Sequence, residues 1–350
     1  MSALHIQGLS CSYQKSSVLK DLNLTLHDNE IVCLLGESGC GKTTLLKAVA
    51  GLQNELSGLI KIRNKVMNDS VVNLPPENRK IGLIFQDYAL FPHLNVFDNV
   101  AFSLTDKLSK QEKQQRVNEV LNLVQLADMT SRFPHQLSGG QQQRIAIARA
   151  LAYQPNLMLL DEPFSNLDQH VRFQLIADIR GLLKSRKMSA LFVTHSKEEG
   201  FAFADKIALM KTGKIVQFDT PQVLYRQPCS AYVADFMGQT NYIDVDVIEA
   251  HHYSCAFGVL KSESDLSHQV GTKRRLLLRP EHLTVALNPE GEGMIQQVDF
   301  QGALQQVVVR ALEQDFIVKH SEFEEGLILK VGDRVSLNVL NHHFITFDGE

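Results

Sequence analysis

The sequence predicts an α/β domain followed by a smaller, all-β domain. From Arg144 onwards, helical periods alternate with short apolar strands, in the order helix, NLMLLD, helix 168–185, ALFVT, helix 198–204. Strands separated by helices indicate a parallel sheet with helices on both faces. Beyond residue 240 the chain alternates β-branched and polar residues between Gly and Asn breaks, which is typical of a small barrel or sandwich. We therefore predict domains at residues 1–238 and 239–350.

The first part of the chain supports the same fold class. Residues 1–35 alternate the short apolar runs LHIQGL, LNLTL and IVCLL with turn residues, as strands do. A helix is predicted from about Lys42 to Ala50. The charged segment 106–128 has helical periodicity and ends near Phe133-Pro134.

Composition and charge exclude several classes of function. A chain of 350 residues has room for two ordinary domains, and its net charge of −4 argues against a dedicated nucleic-acid binder. The five cysteines show no C-x-x-C spacing, so we expect free thiols in a reducing compartment. No apolar run approaches the ~20 residues that span a bilayer, and the N-terminal segment does not resemble a signal peptide. We expect a cytoplasmic chain that reaches any membrane through a partner.

The segment GESGCGKTT at 36–44 fits the phosphate-binding pattern G-x-x-x-x-G-K-[ST]. It follows the apolar strand IVCLL and opens a helix, as the pattern requires. Its glycines let backbone N–H groups turn toward a phosphate, and the helix N-terminus adds partial positive charge. We expect Lys42 to contact the β- and γ-phosphates and Thr43 to offer its hydroxyl to Mg²⁺. The predicted nucleotide-binding residues are Ser38, Gly39, Cys40, Gly41, Lys42, Thr43 and Thr44.

A second segment, LMLLDEP at 157–163, ends an apolar strand with two carboxylates. Ligands of open α/β sheets bind at the carboxyl ends of the strands. Asp161 is therefore expected to hold Mg²⁺ through water, and Glu162 to polarise an attacking water. Taken alone, the segment also fits a strand followed by an acidic helix cap.

A third segment, LSGGQQQRIAIARAL at 137–151, places Ser-Gly-Gly at the head of a helix. It contains no nucleophile, strong base or metal cluster. Taken alone, it fits an N-capped amphipathic helix that binds no ligand.

These segments occur in an order that resembles the nucleotide-binding subunits of ABC transporters. The matching pieces are the 36–44 loop, Gln86 in GLIFQDYALFPHL, LSGGQQQR, LLDEP, SNLD and the Thr-His pair 194–195. The segment RRLLLRPEHL at 274–283 is similar to the C-terminal regulatory domain of bacterial importer ATPases of the maltose, sulfate, polyamine and ferric-iron type. The resemblance implies an α/β P-loop NTPase with a helical signature subdomain at about 87–150. An all-β, OB-like regulatory domain follows it.

The resemblance also implies a head-to-tail homodimer in which each subunit completes the other's ATP site. The signature LSGGQ of one subunit then faces ATP held by the P-loop of its partner, which suits a helix N-terminus with closely approachable glycines. The residues expected to contact that ATP are Ser138, Gly139, Gly140 and Gln141.

Five further residues acquire roles from the resemblance. Tyr13 is expected to stack on adenine, with Val18 lining the base pocket. Gln86 is expected to contact Mg²⁺ and the attacking water. Asp168 is expected at the dimer seam, and His195 is expected to contact the γ-phosphate and orient Glu162 or the water.

The predicted function is Mg-ATP hydrolysis that drives solute import at the cytoplasmic face of a bacterial inner membrane. The implied partners are two permease subunits or a fused permease, and indirectly a periplasmic solute-binding protein; no nucleic acid is expected. The chain length and the run VLYRQPCSAYVADFMG favour ferric iron as cargo, with a polyamine as the alternative. The alternative from a different functional class is a soluble ABC protein that has no role in transport. Glu162 and His195 argue against a subunit that binds ATP without hydrolysing it.

Overall fold

The computed structural model describes residues 2–13, 16–53, 55–104, 108–165, 167–263, 266–321 and 329–348. The chain divides into two compact units, residues 1–222 and 223–350. Segment 223–238, which the sequence assigns to the first domain, groups with the second unit. The domain boundary at residue 238 stays a prediction. Within the described residues, no helix has both the length and the apolar character needed to cross a membrane.

The first unit alternates strands and helices along most of its length. In chain order its elements are β1 (Ser2–Tyr13), β2 (Ser16–His27), β3 (Ile31–Gly36), α1 (Lys42–Ala50), β4 (Leu56–Ile62), β5 (Lys65–Asn68), β6 (Ile81–Ile84), α2 (Val96–Ala101), α3 (Lys110–Leu123), α4 (Gly139–Ala152), β7 (Leu157–Asp161), α5 (Gln169–Ser185), β8 (Ala190–Val193), α6 (Lys197–Phe203), β9 (Lys206–Lys211) and β10 (Lys214–Asp219).

Two sheets form the body of this unit. The larger has the order β10-β9-β3-β8-β7-β6 and is parallel except for the β9–β10 hairpin. β3 and β8 are buried throughout, as expected for parallel strands covered on both faces. The smaller sheet, β2-β1-β4-β5, is antiparallel, and one hydrophobic core joins it to the larger sheet and to α1. The predicted parallel sheet is confirmed.

Sheet order decides where the site lies. β3, β8 and β7 are neighbours, so the segments that follow them meet at one edge. These segments are the P-loop, the Thr-His pair 194–195 and the Asp-Glu pair 161–162. β6 lies beside β7 and leads to Gln86.

The helical segment of the first unit comprises α2, α3 and α4. The predicted helix 106–128 is shorter in the structure, and its positions 106 and 107 lie outside the described residues. Ser109 and Glu112 form a capping box that starts α3, and Gln125 has a φ of 61° just past its end. α2 was not predicted; Asn95 caps it by accepting a hydrogen bond from the Asp98 N–H.

Two short helices, the first of which begins just before residue 223, lead into the second unit, which continues as β-structure. Its elements are α7 (Pro221–Arg226), α8 (Ala231–Met237), β11 (Asn241–Glu249), β12 (His252–Cys255), β13 (Gly258–Lys261), β14 (Lys273–Leu278), β15 (Leu283–Leu287), β16 (Gly293–Phe300), β17 (Leu304–Ala311), β18 (Gln314–Ser321), β19 (Arg334–Val339) and β20 (Ile345–Asp348). They form two five-stranded sheets, β13-β12-β11-β14-β20 and β15-β19-β16-β17-β18, around one core. The predicted all-β domain is confirmed.

Arg279 of the RPE segment holds the two short helices in place. Its guanidinium is 1% exposed and donates hydrogen bonds to the carbonyls of Ala234 (2.8 Å) and Tyr225 (3.0 Å). It also lies 4.2 Å from the centre of the Tyr225 ring. Burial lowers the pKa of Arg279. The arginine thus adds donors to carbonyls of both short helices, among them that of Ala234, which also accepts the Gly238 N–H, and this is a structural role.

Candidate active site

The P-loop links β3 to α1 through residues with left-handed backbone. Gly39 and Gly41 have φ values of 80° and 109°, a region that glycine adopts without strain. A Cβ atom at Gly36 would lie 2.3 Å from the Met210 carbonyl oxygen, so packing requires glycine there. At Gly39 a Cβ would meet nothing within 4 Å, so the loop leaves open space above its backbone.

Lys42, the first residue of α1, is held beneath this loop. Its side chain is 7% exposed and donates hydrogen bonds to the carbonyls of Gly36 and Glu37, both at 2.8 Å. The Cys40 Sγ lies 3.8 Å from the same ammonium group. The loop therefore fixes one positive charge at a helix N-terminus, which favours an anion.

Thr43 and Asp161 bring two oxygen groups together across the sheet edge. The Thr43 hydroxyl donates to the Asp161 carboxylate over 3.4 Å. Burial, and secondarily the charge of Glu162, raise the pKa of Asp161, against the opposing effects of Lys47, Thr43 and Lys42. Hydroxyl and carboxylate oxygens are the ligands that Mg²⁺ prefers, so this pair fits the predicted metal.

Glu162 lies between the side chains of two other predicted catalytic residues. Gln86 donates its amide to Oε2 over 3.3 Å, and His195 Nδ1 lies 3.4 Å from Oε1. The Glu162 backbone has a φ of 45°, and its N–H donates to the Val193 carbonyl at 3.0 Å. A left-handed backbone at a residue other than glycine is strained and persists where surrounding contacts enforce it. The structure thus brings Gln86, Glu162 and His195 together.

The signature residues lie in another part of the first unit. Ser138 caps α4 through a capping box: its hydroxyl accepts the Gln141 N–H (3.4 Å), and the Gln141 side chain accepts the Ser138 N–H (3.0 Å). Ser138, Gly140 and Gln141 line a cavity of about 320 Å³ with residues of α5 and segment 125–129. Capping uses the serine oxygen as an acceptor, so its proton remains available to donate. The N-cap and ligand-binding interpretations of this segment are therefore compatible.

The remaining predicted residues stay predictions. The side chain of Tyr13 lies outside the described residues. Val18 is half-buried in β2, and its carbonyl packs beside Gly41 of the P-loop. Asp168 is exposed, and its carbonyl accepts the Arg172 N–H at 3.0 Å at the start of α5.

Three residues near the site, Glu199, Thr194 and Arg172, were not predicted to have a role there. Glu199 is buried, accepts a hydrogen bond from the Thr194 hydroxyl at 2.6 Å, and pairs with Arg172 at 3.5 Å. The available signal was the S-x-x-E pattern at 196–199, which predicts a capping box. The structure forms only half of that box: Ser196 Oγ accepts the Glu199 N–H, but the Glu199 carboxylate turns to Thr194 and Arg172.

Comparisons with known proteins agree with this geometry. A family model described as "ABC transporter" matches residues 19–165, and one described as "TOBE domain" matches residues 276–347. The Fe(3+) ions import ATP-binding protein FbpC 2 of Haemophilus influenzae is 38% identical over 312 residues, 87% of each chain. The chain belongs to the ATP-binding subunits of ABC importers. It is an ATP-hydrolysing enzyme with the predicted fold, a P-loop ABC ATPase followed by an OB-like domain.

Other proteins similar to this importer ATPase include one whose name states a different cargo and two solved structures. The spermidine/putrescine import ATP-binding protein PotA of Thermotoga maritima is 36% identical over 351 residues, 99% of this chain and 93% of the relative. CbiO1 of Clostridium perfringens, part of the ABC transporter complex CbiONQ, superposes with a TM-score of 0.58 at 27% identity, covering 65% and 91% of the two chains. The ATP-binding cassette MJ0796, a dimeric structure bound to ADP and Pi, gives 0.54 at 30% identity, covering 62% and 98%.

Replacing Lys42 by Ala is expected to weaken ATP binding by roughly 2–4 kcal/mol, because a buried, charge-assisted contact to phosphate is lost. Lys65→Ala, at an exposed lysine on β5, is the matched control and should bind ATP normally. Titration with a fluorescent ATP analogue measures both affinities. Equal affinity in Lys42→Ala and the wild-type importer ATPase would contradict the role given to the P-loop.

Proposed function

We propose that the site at the edge of β3, β8 and β7 hydrolyses Mg-ATP by activating a water molecule. Lys42 and the P-loop N–H groups bind the phosphates, and Thr43, Asp161 and Gln86 hold Mg²⁺. Bound Mg²⁺ supplies charge neutralisation on the phosphates. Glu162 accepts a proton from the attacking water, and His195 orients Glu162 or the water.

The observation that carries this proposal is the Glu162 carboxylate held between Gln86 and His195. Each of its two oxygens has one of these neighbours, within 3.4 Å. The three residues come from separate segments, and the sheet order brings them together. Holding a base in place before the reaction lowers the entropy cost of reaching the transition state.

We further propose that the active form is a head-to-tail homodimer that binds two ATP molecules. In it, the α4 N-terminus of one subunit contacts the ATP on the other subunit's P-loop. Support comes from the exposed Ser138 with its available proton, and from the dimeric form of the related cassette MJ0796. The helix dipole at this terminus favours the negative charge of a phosphate.

We propose that segment 87–100 of each ATPase subunit docks on the permease at the cytoplasmic face of an inner membrane. The permease consists of two subunits or of one fused chain. Arg149 of α4 donates to the carbonyls of Tyr88 (2.9 Å) and Ala89 (2.7 Å), two residues with positive φ. Helix α4, which begins with the signature residues, thus hydrogen-bonds to the segment that directly follows Gln86. This connection supports coupling between the nucleotide site and a docked permease.

Ferric iron is the cargo that we propose, with a polyamine as the alternative. The iron and polyamine relatives are 38% and 36% identical to the chain, so similarity does not choose between them. The run VLYRQPCSAYVADFMG supports iron. A solute-binding protein acts indirectly in this proposal, through the permease.

Reconstitution of the ATPase with its permease tests the cargo. An Fe³⁺-loaded solute-binding protein is expected to raise the ATPase rate, because the loaded protein favours the conformation that leads to closure. The same binding protein without iron, and a spermidine-loaded binding protein, are the matched controls. Stimulation by the spermidine-loaded protein alone would overturn the iron assignment and leave the ATPase mechanism standing.

A further inference from the structure

An ion pair between Arg172 and Glu199 connects α5 to α6, and a hydrogen bond from Thr194 to Glu199 extends this connection to the end of β8. The Glu199 side chain, on α6, is almost fully buried, and both of its oxygens are engaged. Oε2 accepts a hydrogen bond from the Thr194 hydroxyl at 2.6 Å, and Oε1 lies 3.5 Å from the Arg172 guanidinium. Burial raises the pKa of Glu199, whereas Thr194 and Arg172 lower it. The charged form of a carboxylate buried in this way is stable only while its two partners are in place.

On one side, this ion pair fixes the backbone that carries His195. The Thr194 hydroxyl donates to Glu199 and also accepts the Ser196 N–H at 3.0 Å. The Thr194 N–H donates to the Leu34 carbonyl of β3 at 3.3 Å. The His195 side chain itself is 63% exposed, so few side-chain contacts restrain it. Its position therefore depends on the residues on either side, which Glu199 holds through Thr194.

On the other side, the ion pair reaches the segment before α5. Arg172 donates from its second guanidinium nitrogen to the Leu167 carbonyl at 2.9 Å, and from its backbone N–H to the Asp168 carbonyl at 3.0 Å. One arginine thus contacts both Glu199 and segment 167–168. A continuous set of contacts runs from Asp168 through Arg172, Glu199 and Thr194 to His195.

We propose that Glu199 is a positioning residue that holds His195 beside Glu162 and couples the position of His195 to segment 167–168. The proposal rests on the function proposed above, in which His195 orients Glu162 or the water, and on the expected position of Asp168 at the dimer seam. Docking of a partner subunit against segment 167–168 then acts on the subunit's own His195 through Arg172 and Glu199.

Glu199→Gln is the test variant because it keeps the size of the side chain and an oxygen for Thr194, but removes the charge that Arg172 pairs with. The kcat for ATP hydrolysis is expected to fall about 10- to 100-fold, the scale on which small misplacement of a reacting group acts. The KM for ATP should change less than about twofold, since P-loop contacts are untouched. Arg172→Gln should give the same pattern, and the double variant should be no worse than either single one.

The matched control is Asp205→Asn, which removes the charge from two other ion pairs of α5. Asp205 pairs with Arg180 at 2.7 Å and with Lys184 at 2.5 Å, beside the start of β3 and away from Glu162 and His195. Thermal unfolding measures stability for both variants, and the NMR signals of the His195 imidazole, assigned with His195→Ala, report its environment in the ATP-free protein. We expect Glu199→Gln to shift those signals and Asp205→Asn to leave both the signals and kcat unchanged.

Two results would overturn the positioning role. One is a wild-type kcat in Glu199→Gln with unchanged His195 signals. The other is a loss of kcat in both variants that follows their loss of thermal stability, which indicates a structural role only. His195→Ala separates this inference from the proposed function: if it retains the wild-type kcat, the role of His195 is wrong, whereas an inactive His195→Ala beside an unaffected Glu199→Gln refutes the positioning role alone.

Discussion

Replacing Glu162 by Gln is expected to lower ATP hydrolysis by about 10²–10⁴-fold, the range for a removed general base, while ATP binding is retained. The amide has nearly the shape of the carboxylate, so the contacts with Gln86 and His195 have close substitutes. It has no basic oxygen that can take a proton from water. Because binding persists without turnover, the variant should accumulate as an ATP-bound dimer, which size-exclusion chromatography detects.

The matched control for this variant is Glu30→Gln. Glu30 directly precedes β3, at the opposite end from the P-loop, and pairs with Lys206 at 3.0 Å. Glu30 also accepts the His27 N–H at 2.8 Å, so the variant is expected to lose some stability while its ATP hydrolysis stays unchanged. Hydrolysis near the wild-type rate in Glu162→Gln would show that another group acts as the base.

The parts of the site that depend on local sequence could be predicted. The P-loop and α1 follow from one continuous segment, in which Gly41 precedes the helix and Gly51, with a φ of 82°, ends it. The strand before Asp161 is likewise visible as an apolar run. In each case the residues that decide the structure are neighbours along the chain.

The parts that depend on sheet order could not be predicted from spacing. Gln86 and Glu162 are 76 positions apart and meet because β6 and β7 pair in parallel. The family resemblance assigned both residues to the attacking water, whereas periodicity did not. Glu199 shows the same limit, since its pattern predicts a helix cap but its partner Arg172 lies on another helix. The helices of segment 223–238 also depend on a distant residue, the buried Arg279.

Replacing Ser138 by Arg is expected to abolish hydrolysis by the homodimer while each subunit still binds ATP. In the proposed dimer the new side chain would place a bulky cation where the partner's γ-phosphate lies, so the dimer could not close. Loss of the helix cap alone costs about 1 kcal/mol, so it does not account for complete inactivity. Ser138→Ala is the matched control, because it removes the same cap without adding bulk and should retain part of the activity.

Mixing Ser138→Arg subunits with Lys42→Ala subunits tests whether the signature acts on the partner's ATP. In a mixed head-to-tail dimer, one site combines both defects, and the other combines an intact P-loop with an intact signature. Each variant alone is expected to be inactive, and the mixture should regain part of the wild-type ATPase rate. If instead signature and P-loop of the same subunit formed one site, every site in the mixture would carry one defect and no activity would return. An inactive mixture in which cross-linking demonstrates mixed dimers, with single-site hydrolysis established independently, would therefore refute the head-to-tail arrangement.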